Sequence, residues 1–129
     1  MSEKKIDVDE LMHLIGKAVV NDEKIISVKW SAIAVSAIIR ESSTDMNGFM
    51  YDEFGNSKPN TPRDRDIRSI LRHLKQAMVE KNGGEAWKAC LIQITKKDMS
   101  IKMDFEYEDE NRWKVTPNNR MEIIETMKP

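Results

Sequence analysis

The sequence predicts an α+β fold: an antiparallel sheet of about four to five strands packed with an N-terminal, a central and a short C-terminal helix. Three observations carry that expectation. From Met99 on, apolar residues fall on every second position (Met99, Ile101, Met103, Phe105, Tyr107), with Ser100, Lys102, Asp104, Glu106 and Glu108 between them. Successive strand side chains point to opposite faces, so this run has one apolar and one charged face. Residues 61–84 carry helix punctuation at both ends and an apolar stripe at helical spacing. Nowhere do strand and helix patterns alternate as a parallel sheet requires, so runs of strands between helices point to antiparallel pairing.

The N-terminal helix spans Ile6 to Val20. Asp7 or Asp9 can cap it, and Leu11, Leu14, Ile15 and Ala18 form its apolar stripe. His13 sits off that stripe, as a solvated helix histidine does. Ile25 to Glu41 is rich in Ile, Val and Ala, which favours a strand buried on both faces or carrying a bulge, with Trp30 anchored in the core. Ser42-Ser43-Thr44-Asp45 reads as a polar turn, and Gly48 to Phe54 as the returning strand. Gly55-Asn56-Ser57 ends it, and Pro59 and Pro62 stiffen the connection that follows.

Thr61-Pro62-Arg63-Asp64 is the expected start of the central helix, with Thr61 as cap, Pro62 at the first helical position and Asp64 in the capping-box place. Ile67, Ile70, Leu71, Leu74 and Met78 trace its buried stripe, and Asn82-Gly83-Gly84 stops it. Trp87 to Thr95 is the apolar partner of the alternating strand, joined to it by Lys96-Lys97-Asp98. The hairpin is expected to set one face on a core and one in water. Arg112 to Val115 reads as a short last strand broken by Pro117. Asn118 or Asn119 caps a closing helix through Met127, with Met121, Ile124 and Met127 inward.

The chain of 129 residues is read as one domain, 1–129, with enough length for a core. Its 21 basic and 22 acidic residues nearly cancel, without the basic excess usual in nucleic-acid binders. Cys90 is the one cysteine, so no internal disulfide forms and the cytoplasm is the expected compartment. The opening Met1-Ser-Glu-Lys-Lys-Ile-Asp lacks a signal peptide's apolar stretch, and no run is long enough to span a bilayer.

No catalytic constellation emerges. His13 and His73 stand apart, Cys90 lies in a strand pattern where cysteine is inert packing, and phosphate-loop, dinucleotide and nucleophile-elbow motifs are absent. The expectation is a non-enzyme with no cofactor and no metal. Two surface features remain. Arg65, Arg68, Arg72 and Lys75 lie along one side of the central helix, either as a solvated face or as a grip for single-stranded nucleic acid. The second is acidic: five of the seven residues from Asp104 to Glu110 are carboxylates, with Asp45, Asp52 and Glu53 on the other hairpin. A solvated face or protected edge accounts for such a run. A docking surface for a basic protein accounts for it too, because aromatic residues interleave with the charge. On that reading the contacts are Glu106, Glu108, Asp109 and Glu110 with Asp52 and Glu53 for charge, and Tyr107 and Trp113 as anchors.

The run Trp87-Lys-Ala-Cys-Leu-Ile-Gln-Ile, followed by Asp104-Phe105-Glu106-Tyr107-Glu108-Asp109, resembles the YezG-like immunity (antitoxin) family. Members have a tryptophan opening one strand and a next strand ending in D-F-x-Y-[DE]-D, after a helix that stops as Asn82-Gly83-Gly84 does. The likeness in element order covers nearly the whole chain. The turn around Asp45 lacks a matching signature, and Asn111-Arg-Trp-Lys-Val115 looks like a subgroup feature. The resemblance implies a cytosolic, non-catalytic protein that binds the nuclease domain of a cognate polymorphic toxin. Within it, the chain looks more like a contact-dependent growth inhibition immunity protein, directed against an EndoU-like RNase. It supplies no residue-level binding motif and leaves the oligomeric state open.

Overall fold

A computed structural model describes residues 7–129. Its five strands are β1 Ala32–Ile39, β2 Thr44–Tyr51, β3 Ser57–Pro59, β4 Ala89–Thr95 and β5 Ser100–Glu106. They form one antiparallel sheet in the order β3-β2-β1-β4-β5. Four helices, α1 Val8–Val20, α2 Glu23–Ile26, α3 Arg65–Asn82 and α4 Arg120–Met127, complete an α+β fold with helices at both ends and the centre.

Strand β1 is central in space and buried on both faces, from Ile33 to Ile39 without interruption. Its odd positions Ile33, Val35, Ala37 and Ile39 face a large core closed by Leu11, Ile15 and Val19 of α1 and by Ile67, Leu71 and Leu74 of α3. Trp30 and Trp87 share that core. Removing each such Leu or Ile from water contributes about 1.5–3 kcal/mol, so this layer dominates stability. The even positions Ala34 and Ile38 face a smaller cluster with Phe49, Tyr51, Ala89, Leu91, Trp113, Ile123 and Met127. Thus β4 is buried on both sides, contrary to the one-wet-face expectation for the hairpin. Only β5 keeps it, with Met103 buried and Lys102 exposed.

The C-terminal segment covers the second face, and three adjacent strands each donate a hydrogen bond to its carbonyls. Ser36 Oγ reaches Trp113 O at 3.2 Å, Tyr51 Oη reaches Ile124 O at 2.7 Å, and Gln93 Nε2 reaches Met127 O at 2.7 Å. Two of these acceptors lie in the last turn of α4, whose carbonyls have no partner within the helix.

Several expected boundaries move, each for a local reason. The strand expected from Ile25 starts at Ala32, because Asp22 draws the chain into α2. The buried Asp22 carboxylate accepts from Lys24 N at 3.0 Å, and its other oxygen accepts from Arg63 N at 2.8 Å and Asp64 N at 2.7 Å. Thr44 and Asp45 belong to β2 rather than to the turn. The central helix starts at Arg65, not after Thr61, with Asp64 as its cap accepting from Asp66 N at 2.9 Å. Thr61 Oγ1 instead accepts from Gly48 N at 3.1 Å, and a side chain at Gly48 would meet Asn60 O. The short edge strand β3, unforeseen, occupies what reads as a stiff linker, and its Pro59 fits a position without a second neighbour.

The helix stop holds as expected: Gly83 has φ 69° and donates to Val79 O at 2.8 Å. Arg112 to Val115 forms turns and no strand, sinking Trp113 into the second cluster. In α4, Met127 is inward and Ile124 half-buried, but Met121 is 85% exposed and Ile123 takes its place. Leu14 is exposed and Val19 buried on α1, whose described part begins at Val8; Ile6 lies outside the described residues.

Tyr51→Phe removes the bond to Ile124 and is expected to cost about 1–2 kcal/mol in urea unfolding. Burial, with a smaller contribution from Glu125, pushes the Tyr51 phenol up to about 12 from 10.0. Above pH 10 the unfolded chain releases this proton while the fold retains it, so stability falls as pH rises towards 12. Circular dichroism across that range should give a shallower loss for the Tyr51→Phe chain.

Candidate protein-binding site

At one end of the sheet the β1–β2 turn meets the segment leaving β5. The register fixes this: Ala89 pairs with both Ile38 and Glu106, and Ile38 pairs with Asp45. Glu106, Tyr107, Glu108, Asp109 and Glu110 therefore gather here beside Asp45, as the sequence led us to expect for this half of the acidic group. Asp52 and Glu53 do not join them. They follow Tyr51, whose partner Ala32 opens β1, which places them at the opposite end of the sheet. Asp52 serves its own turn, accepting from Phe54 N, Asn56 N and Asn56 Nδ2, and these bonds, Asn56 N first, hold its carboxyl below the usual range.

The acidic loop is built around Glu106. Its Oε2 accepts from Glu108 N at 3.0 Å and Asp109 N at 3.1 Å, and its Oε1 from Arg112 at 3.1 Å. Those two amides first, and then Arg112, depress its pKa. Arg112 lies over the Trp113 ring, 4.7 Å from its centroid. Since Trp113 is only 3% exposed, it supports the loop from the core and presents no ring to a partner, correcting its place among the surface anchors. Tyr107, expected on the core face, is 39% exposed beyond the strand end. Phe105 instead turns inward against Trp87, centroids 5.4 Å apart. The Asp104–Asp109 pattern is thus partly architectural: Phe105 packs and Glu106 folds the loop.

Arg40, which sequence reasoning missed, clamps the two halves of this end. Its guanidinium bonds Asp45 at 2.7 Å and Glu110 at 3.2 Å, and these bonds, Asp45 first, raise its pKa. Only proximity in three dimensions reveals the second pair. Glu108 and Asp109 remain exposed, and neither side chain has an ion-pair partner among the described residues.

The basic row on α3 divides. Arg72 donates to Arg40 O at 2.8 Å and to Thr44 Oγ1 at 2.9 Å, and Lys75 to Ile39 O at 2.6 Å. Both brace the β1–β2 turn, and of the four only Arg65 and Arg68 are exposed. Burial, then Arg72, lowers the pKa of Lys75.

Elsewhere, His13 and His73 are exposed on separate helices. Cys90 is fully buried, which pushes its thiol up to about 12. Among the described residues no group of three His, Cys, Asp or Glu side chains is placed to hold a metal. Nor is any helix long and apolar enough to cross a membrane. No protein-family model matches the chain and no curated protein matches it.

Replacing Glu106 with Gln withdraws the charge that receives two amides and a guanidinium. Amide exchange at Glu108 and Asp109 should then quicken roughly tenfold, read by NMR, with the β1 amides unchanged.

Proposed function

We propose that this chain is a non-catalytic immunity protein that binds a toxin nuclease one to one and neutralises it in the cytoplasm. One observation carries the reading: the loop 106–110 is tied down from within, Asp109 Oδ1 also accepting from Asn111 N, yet it leaves Glu108 and Asp109 exposed and without an ion-pair partner among the described residues. An RNase holds a phosphate backbone in a cationic groove, and an ordered acidic loop can occupy that groove in the backbone's place. Because the loop is ordered beforehand, binding forfeits less conformational freedom. Its charge accelerates encounter, and the half-exposed Tyr107 supplies apolar area that slows release. Glu106, Glu110 and Trp113 act by holding the loop, while Glu108, Asp109 and Tyr107 make the contacts. Within this reading the proposed target is a contact-dependent inhibition toxin of EndoU-like type. Nucleic acid on α3 is less favoured, because Arg72 and Lys75 are engaged with the β1–β2 turn.

The test is to express the C-terminal domain of the protein encoded immediately upstream and titrate it with this chain by calorimetry. Equimolar binding that blocks RNA cleavage is expected. Glu108→Lys with Asp109→Lys should weaken it at least roughly tenfold and flatten its salt dependence. An upstream protein without a nuclease domain, or affinity indifferent to the double reversal, overturns the reading. Filter binding of single-stranded RNA then becomes the decisive measurement.

A further inference from the structure

Among the described residues, strand β5 is one edge of the sheet, paired only with β4. It is seven residues long and lacks proline, glycine or a bulge that would blunt it, whereas the other edge is three residues long and includes proline. Its two ends carry opposite charge. The Lys96-Lys97 turn precedes it and the Glu108-Asp109-Glu110 loop follows it. Lys96 lies over the Trp30 ring at 5.0 Å, and Lys97 is exposed with no ion-pair partner among the described residues.

A cleft of about 590 Å³ runs between this edge and α1. Leu14, Gly16, Val20, Ile94, Met99 and Ile101 make its apolar lining, and Leu14 and Met99 are 43% and 51% exposed. Gly16 admits Ile101 so closely that any side chain there would collide with it, which keeps α1 low over the strand.

We infer that β5 is the interface for a second copy of this chain, paired antiparallel to itself about a two-fold axis at Met103. Of the registers near that centre, this one matches charge. Lys102 falls opposite Asp104 of the second copy, and symmetry repeats the pair. Centring on Lys102 or on Asp104 would set like charges face to face. On the helix face, Ile101 meets Phe105 of the second copy. Met99, in the turn before the strand, and Tyr107 of the second copy, past its end, come to neighbouring positions beside the cleft. Beyond the strand, each lysine turn lies alongside the other copy's acidic loop. The contact is isologous, with one surface complementing itself, and it joins two sheets into one of ten strands.

The pairing covers Tyr107 and lies alongside the acidic loop that the proposed function assigns to the nuclease, so nuclease binding would displace the second copy; the test of the pairing itself uses the chain alone. Sedimentation velocity of the full chain in about 50 mM salt, where charge is weakly screened, should give a species of twice the 15.0 kDa chain mass. Lys102→Asp or Asp104→Lys alone sets like charges opposite and should raise the dimer dissociation constant roughly tenfold. The combined swap, K102D with D104K, should restore it. Thermal melts identify any variant that fails to fold, and the restored dimer of the double variant answers the same concern. A wild-type monomer at about 100 μM, roughly the range in which edge-mediated association becomes evident, overturns the inference. So does a dimer indifferent to the single changes.

Discussion

The structure depends on a central strand with no solvent face. From Ile33 to Ile39, β1 is buried on both sides, so the sheet must be covered twice. Helices α1 and α3 supply one cover through a broad aliphatic interface. The other has to come from the short segment after β5. An eight-residue helix is marginal by itself in water. What secures it is tertiary: Trp113, Ile123 and Met127 enter the second cluster, and Ser36, Tyr51 and Gln93 hold carbonyls along its path. Hydroxyl and amide groups on an otherwise apolar sheet face thereby find acceptors, and they fix where the segment lies.

That cover also links the core to the surface loop. Trp113 is buried, Arg112 stacks on it, and the same guanidinium binds the Glu106 carboxylate that gathers two loop amides. The loop's shape is therefore set by packing on the far side of the sheet. On the near side, Arg40 bonds Glu110, and Arg72 in turn holds the Arg40 carbonyl from α3. An acidic segment that reads as a flexible charged run is in fact held from both layers.

The parts legible in the sequence are those where one local rule dominates. The alternation of β5 and the aliphatic stripe of α3 follow from periodicity, and the Asn82-Gly83-Gly84 stop from backbone chemistry. What escaped were the places where a distant group outbids a local signal. Thr61 carries a good cap signal, but Gly48 claims its hydroxyl and Asp64 caps instead. Asp22 looks like one more polar helix-end residue, and only the fold shows it receiving amides from Arg63 and Asp64. The acidic group was half legible. Charge shows in the sequence, but which ends of the strands share a side of the molecule depends on strand order. That order separates Asp52 and Glu53 from the rest.

The asymmetry of the two sheet edges has a consequence for how this molecule behaves when concentrated. The β3 edge is three residues long and carries Pro59, and it offers little to an incoming strand. Backbone pairing is thus directed to one side only. A chain with two open edges can stack head to tail without limit and run towards a fibre. With a single receptive edge, growth stops after one addition, and crowded molecules are steered away from the polymer.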